Sequence, residues 1–95
     1  MKVLSWNIRG MNSKGKQRHL KDKLQVEKPQ VMLLQETKVS RQKMQSVMQS
    51  LKMNYEVMAI DSVGTSGGIA ILWNVAEINA EGWIGCPRIL TATFR

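Results

Sequence analysis

The 95-residue chain is poor in the residues that build soft-metal and nucleophile sites: it has one cysteine, one histidine, one tyrosine and one phenylalanine. A lone Cys86 excludes an internal disulfide, and with a lone His19 it excludes cysteine-rich and multi-histidine metal sites. No apolar run approaches the eighteen or so residues of a membrane span, and Met1–Asn7 is too short for a secretory signal. The expectation is a soluble chain with no membrane partner, suited to the reducing interior of a cell. Acidic residues are also scarce, seven against fourteen Lys and Arg, for a net charge of +7. The imbalance is local: residues 1–43 hold eleven basic and three acidic residues, and residues 44–95 hold three and four. A basic half of this kind is either a footprint for a polyanion such as nucleic acid or a lysine-rich solvated surface.

What is present is a regular alternation of short apolar runs and amphipathic stretches. Lys2 to Ile8 reads as a first strand, followed by a turn over Arg9-Gly10-Met11-Asn12-Ser13 in which Asn12 or Ser13 can cap a helix. Lys16 to Glu27 reads as that helix, with Leu20 and Leu24 on its inner face, and Lys28-Pro29 stops it. Val31 to Gln35 is a short buried strand, giving one βαβ unit with parallel strands. Ser40 opens a second helix, whose Met44, Val47, Met48 and Leu51 form an inward stripe. From residue 55 onward the spacing suits antiparallel hairpins: strands at Tyr55–Ile60, Gly68–Trp73, a weaker one near Glu77–Trp83, a turn at Gly85-Cys86-Pro87, and a last strand at Ile89–Phe94. The expected fold class is α/β (α+β), a mixed sheet with two helices on one face. The other sheet face, lacking a partner within the chain, is expected to be exposed and to favour self-association.

Two polar residues interrupt strand ends. Glu36 closes the run Val31-Met32-Leu33-Leu34-Gln35, where open α/β sheets place ligands, and Asn7 occupies the corresponding place after the first strand. A carboxylate there is costly unless it is hydrated, paired or metal-bound. It suits Mg²⁺, which takes one or two carboxylates plus waters and phosphate; alternatively Glu36 faces water or pairs with Lys38. Asn7 either orients that carboxylate and a phosphate or simply forms a turn. His19 lies in the basic helix and reads as a surface residue. Gly64-Thr65-Ser66-Gly67-Gly68 lacks the Gly-Lys-Ser/Thr ending of a phosphate-binding loop and reads as a turn. Trp6, Trp73 and Trp83 read as sheet-packing residues.

Met1-Lys2-Val3-Leu4-Ser5-Trp6-Asn7-Ile8-Arg9-Gly10, followed by Leu33-Leu34-Gln35-Glu36-Thr37-Lys38, resembles the opening of the endonuclease/exonuclease/phosphatase superfamily, the DNase I-like fold. Ser66-Gly67-Gly68-Ile69-Ala70-Ile71-Leu72-Trp73 looks more specifically like the nuclease domain of plant non-LTR retrotransposons. The resemblance implies part of a four-layer α/β sandwich. It also implies a catalytic role for Asn7, a Mg²⁺-ligating role for Glu36, and a place close by for Lys38. The superfamily's later motifs (an active-site Tyr, an Asp-x-Asn pair and a terminal Ser-Asp-His) do not occur in these residues. Residues 1–95 are accordingly expected to be a truncated N-terminal portion of the domain, completed by a missing C-terminal half or by self-association.

The parent domain is then expected to hydrolyse phosphodiester bonds of DNA with Mg²⁺, in the nucleus, while this fragment binds Mg²⁺ weakly or not at all and is inactive. Two alternatives stand beside that reading. One is a non-catalytic nucleic-acid-binding remnant using Lys14, Lys16, Arg18, Lys21, Lys23 and Lys38; Lys28 belongs to the same basic cluster, and no aromatic residue interleaves those charges in sequence to stack bases. The other is a Mg²⁺-dependent phosphatase of the same superfamily acting on a small phosphate ester.

Overall fold

A computed structural model describes residues 1–61, 67–86 and 89–95. In chain order the elements are β1 (Val3–Asn7), α1 (Lys14–Glu27), β2 (Val31–Gln35), α2 (Arg41–Leu51), β3 (Tyr55–Ile60), β4 (Ile69–Asn74), β5 (Ala80–Cys86) and β6 (Ile89–Phe94). Residues 62–66, which include Gly64-Thr65-Ser66 of the Gly-rich segment, and Pro87 of the expected turn lie outside the described residues; Gly85 and Cys86 belong to β5 rather than to a turn.

Both helices begin where a serine can accept the orphan amides of a first turn. Ser13 accepts from the Lys16 amide at 3.1 Å and Ser40 from the Lys43 amide at 3.0 Å. Both end on a lysine in the left-handed region, Lys28 and Lys52, a common way of closing a helix. Pro29 follows the first of these directly and prevents continuation.

Four strands form a mixed sheet in the order β1-β2-β4-β3. β1 and β2 run parallel, with Asn7 opposite Gln35, while β4 is antiparallel to both β2 and β3. Alternation along these strands separates two apolar clusters. Met32, Leu34, Tyr55, Ala59, Ala70 and Leu72 face Leu20 and Leu24 of α1 and Met44, Val47, Met48 and Leu51 of α2. The two helices therefore cover one sheet face, as the periodicity requires.

The opposite face differs from expectation. Val31, Met58, Ile71 and Trp73 are buried there together with Ile78, and Leu90, Ala92 and Phe94 pack against them. Antiparallel β5 and β6 form a separate two-stranded sheet and supply this cover. The Trp73 and Phe94 rings meet at 5.8 Å between centroids. That face is covered by the chain's own hairpin over β2, β3 and β4, and the open part is at β1, where Val3 is 50% exposed. In β6 the covering residues Leu90, Ala92 and Phe94 alternate with Thr91 and Thr93, a pattern that marks a one-sided strand but does not say which face it covers.

Candidate functional site

The loops after β1 and β2 and the residues before β4 are bound together by backbone hydrogen bonds. The Gly10 amide donates to the Glu36 carbonyl at 2.8 Å and the Met11 amide to the Thr37 carbonyl at 2.9 Å. The Thr37 amide donates in turn to the Gly68 carbonyl at 3.0 Å and the Lys38 amide to that of Gly67 at 2.9 Å. Parallel pairing of β1 with β2 delivers both strand ends to one edge, and this three-segment clasp holds the loops just past them in place.

At that edge Asn7 and Glu36 meet. The Asn7 side-chain amide donates to a Glu36 carboxylate oxygen, 29 residues away in sequence. Glu36 makes no ion pair with Lys38 among the described residues. Among the described residues the pairing of Glu36 is thus with an uncharged donor that holds one carboxylate oxygen. Next to it, the Gln35 amide donates to the Ser5 hydroxyl at 2.7 Å, a second polar cross-link between the same two strands. Lys38 is exposed, and a Cβ added to Gly10 would lie 3.9 Å from its side chain, so the lysine stem runs past the β1 loop.

The basic residues of α1 do not converge on this pair. Lys14 and Lys23 are nine positions apart on α1, ~13 Å along its axis. They divide into two stripes by helical spacing. Lys16, His19 and Lys23 face Trp6, whereas Lys14, Arg18, Lys21 and Lys28 follow a second line, on which Lys14, Arg18 and Lys28 are exposed. The Lys16 and Lys23 ammonium groups sit 5.9 Å and 5.8 Å from the Trp6 ring centroid, and His19 meets that ring edge-on at 4.9 Å. Lys16 also donates to the Ile8 carbonyl at 2.5 Å, which brings it to the β1 exit. The aromatic group missing from the basic stretch in sequence is supplied in space by Trp6, which corrects the expectation that no aromatic lies among those charges. Sequence spacing held the signal: positions 16, 19 and 23 share a helix face.

Among the described residues no group of three or more His, Cys, Asp or Glu lies close enough to hold a metal ion. Glu36 with Asn7 is a hard, oxygen-donor pair, and it fits a cation that keeps most of its water, as Mg²⁺ does. An open pocket between α2 and the start of β3, lined by Gln45, Met48, Gln49, Lys52 and Tyr55 among others, contains none of the strand-end residues.

No protein-family model matches the chain, and no curated protein matches it. Solved structures do. A 3′ phosphatase NExo from Neisseria, determined with a product DNA hairpin, is similar with a TM-score of 0.70 at 21% identity, over 98% of this chain and 37% of that one. An AP endonuclease from Archaeoglobus fulgidus gives 0.73 at 19% identity, over 97% of this chain and 36% of that one. A humanized D. rerio TDP2 gives 0.70 at 18% identity, over 100% and 44%. The chain shares the fold of these structures, a mixed α/β arrangement matching part of a DNase I-like four-layer sandwich, and it spans less than half the length of each of them.

Proposed function

We propose that residues 1–95 are the N-terminal portion of a Mg²⁺-dependent phosphodiesterase domain that nicks DNA, and that these residues alone do not complete the reaction. The observation that carries this reading is the Asn7–Glu36 hydrogen bond at the joined ends of β1 and β2. A metal held by Glu36 would neutralise phosphate and leaving-group oxygens. Asn7 orients the carboxylate for that task, the clasp through Gly10, Thr37 and Gly68 keeps both strand ends in place, and Lys38 and Lys16 add positive charge beside them. The activation of water needs a base, and the one histidine is on α1 against Trp6. That group has to come from elsewhere in the parent protein.

DNA as the substrate rests on the basic first half and on the resemblance in sequence. The plant retroelement origin, and with it a nuclear setting for the parent, rests on the Gly67-Gly68 to Trp73 segment. A phosphatase on the same scaffold is the second reading, favoured by the similarity in fold to a 3′ phosphatase. Incubation with supercoiled plasmid and Mg²⁺ tests the proposal. The 95-residue chain is expected to leave the plasmid intact. A longer product of the same reading frame is expected to nick it, with Glu36→Ala lowering the rate at least ~100-fold, since even groups behind metal ligands matter at that scale. A longer product that releases phosphate from a 3′-phosphorylated oligonucleotide but never nicks would favour the phosphatase.

A further inference from the structure

Among the described residues five non-glycine residues have left-handed backbones: Arg9 (φ 55°), Lys28 (49°), Glu36 (54°), Lys38 (58°) and Lys52 (54°). Lys28 and Lys52 close α1 and α2, a position where this conformation is ordinary. The other three are charged, end no helix, and lie on the two loops that follow β1 and β2. Residues without a short polar side chain reach this region at a cost of about 1–2 kcal/mol each, and such outliers gather where a site over-determines them.

Glu36 and Lys38 already have a place in the proposed site. Arg9 does not, and its surroundings are specific. It lies between Ile8, whose amide donates to the Gln35 carbonyl at 3.1 Å, and Gly10, whose amide donates to the Glu36 carbonyl at 2.8 Å. Its backbone, two residues after Asn7, is therefore flanked on both sides by bonds to Gln35, the last residue of β2, and to Glu36 just beyond it. Among the described residues no ion pair joins Arg9 to the Glu36 carboxylate. Among the described residues Arg9 donates no side-chain hydrogen bond and makes no ion pair, and it is exposed. An exposed guanidinium fork on a backbone held in place is a ready bidentate partner for two oxygens of one phosphate.

We infer that Arg9 is a phosphate-binding residue of this site, its guanidinium taking two non-bridging oxygens of a phosphate that approaches the Asn7–Glu36 edge. The inference rests on the phosphodiesterase reading, and the ligand chemistry, phosphate oxygen, is shared by a DNA backbone and a free phosphate ester.

The test uses the 95-residue chain, a fluorescein-labelled DNA duplex read by anisotropy across a salt series, and inorganic phosphate read by the ¹⁵N resonance of the Arg9 Nε. Arg9→Gly is the informative variant, because glycine accepts φ 55° freely and the fold should be retained or slightly stabilised in a thermal melt. Arg9→Gly is expected to weaken duplex binding about fivefold at low salt and to reduce the slope of log K against log salt by about 0.9, one phosphate contact. Arg9→Lys should recover the slope, since the charge is kept, but only part of the affinity, since the fork is lost. Lys52→Gly, which removes a cation of equal charge from another left-handed position, is the control and should change neither. A shift of the Nε resonance with inorganic phosphate alone would assign the contact to any phosphate ester; a shift with duplex only would assign it to the DNA backbone. Wild-type affinity and slope in Arg9→Gly, while Lys38→Ala still weakens binding, would overturn the role of Arg9 and leave the phosphodiesterase reading standing. No binding of duplex by the wild-type chain and no response to inorganic phosphate would overturn both for these residues.

Discussion

Asn7 holds Glu36 by a neutral donor, so the pair carries a single negative charge. Asn7→Asp replaces the hydrogen bond by two adjacent carboxylates, which repel each other. At neutral pH in a chelating buffer this should cost about 0.5–1 kcal/mol, or a fall in Tm of roughly 2–8 °C for a domain of this size. Millimolar Mg²⁺ should restore the Tm of Asn7→Asp more than it moves wild type, because two carboxylates now share the cation. Asn7→Ala loses the hydrogen bond and should show no such recovery. Equal Mg²⁺ responses in all three proteins would show that this edge is not a cation site.

Tyr55 supplies a pH-dependent effect, remote from the site. Its hydroxyl donates to the Pro29 carbonyl at 2.5 Å and ties β3 to the end of α1. Burial, then the nearby Glu77 carboxylate, raises its pKa above the usual 10. The unfolded chain therefore releases this proton first, and stability falls as pH rises through the ordinary tyrosine range. Tyr55→Phe should lower stability at neutral pH by ~1 kcal/mol, leaving the Pro29 carbonyl without its partner. The same substitution should flatten the alkaline limb of a Tm–pH curve, and an unchanged limb would assign that loss to other groups.

At the scale of elements, the parts that local chemistry dictates were readable. β2, β3 and β6 occupy the expected spans, Ser13 and Ser40 cap the two helices, and the Met44–Leu51 stripe faces the sheet. The Asn7–Glu36 edge was readable for the same reason, since parallel strands joined by a helix end on one side. Features that depend on long-range choice were not. Insertion of β4 between β2 and β3 breaks chain order, and the weak strand near Glu77 begins instead at Ala80, after a turn in which the Glu77 and Ile78 amides bond to Asn74. Left-handed Arg9 was equally hidden, because nothing in that residue type announces positive φ. The hairpin gives a direct check of the covering role that sequence missed. Phe94→Ala should cost about 1–2 kcal/mol for a half-buried ring. Removing residues 80–95 should uncover Val31, Met58, Ile71 and Trp73 and produce concentration-dependent association in light scattering. A monomeric truncated chain would show that the hairpin is not what keeps this face from self-pairing.

On the scale of the whole molecule, charge follows the chain order. The basic first half builds β1, α1 and β2, while the near-neutral second half builds most of α2 and the strands β3 to β6. The positive field is therefore concentrated around one helix and one sheet edge, and its use is tested by salt dependence. Lys16 and Lys23 are partly committed to the Trp6 ring, so phosphate contacts should fall mainly to the outer stripe. Replacing Lys14, Arg18 and Lys21 together by Gln should reduce the slope of log K against log salt for duplex DNA by up to about 2.7, three contacts at 0.9 each. Replacing Lys43 and Lys52 of the second helix region removes two cations from the net charge but should leave the slope near its original value. If both sets lower the slope in proportion to the charge removed, the attraction belongs to the net charge of +7 and not to a surface on α1. If only the α1 set does, that helix is the track along which DNA reaches the Asn7–Glu36 edge, and Trp6→Leu, by releasing Lys16 and Lys23, should then change affinity without changing the slope by more than those two contacts allow.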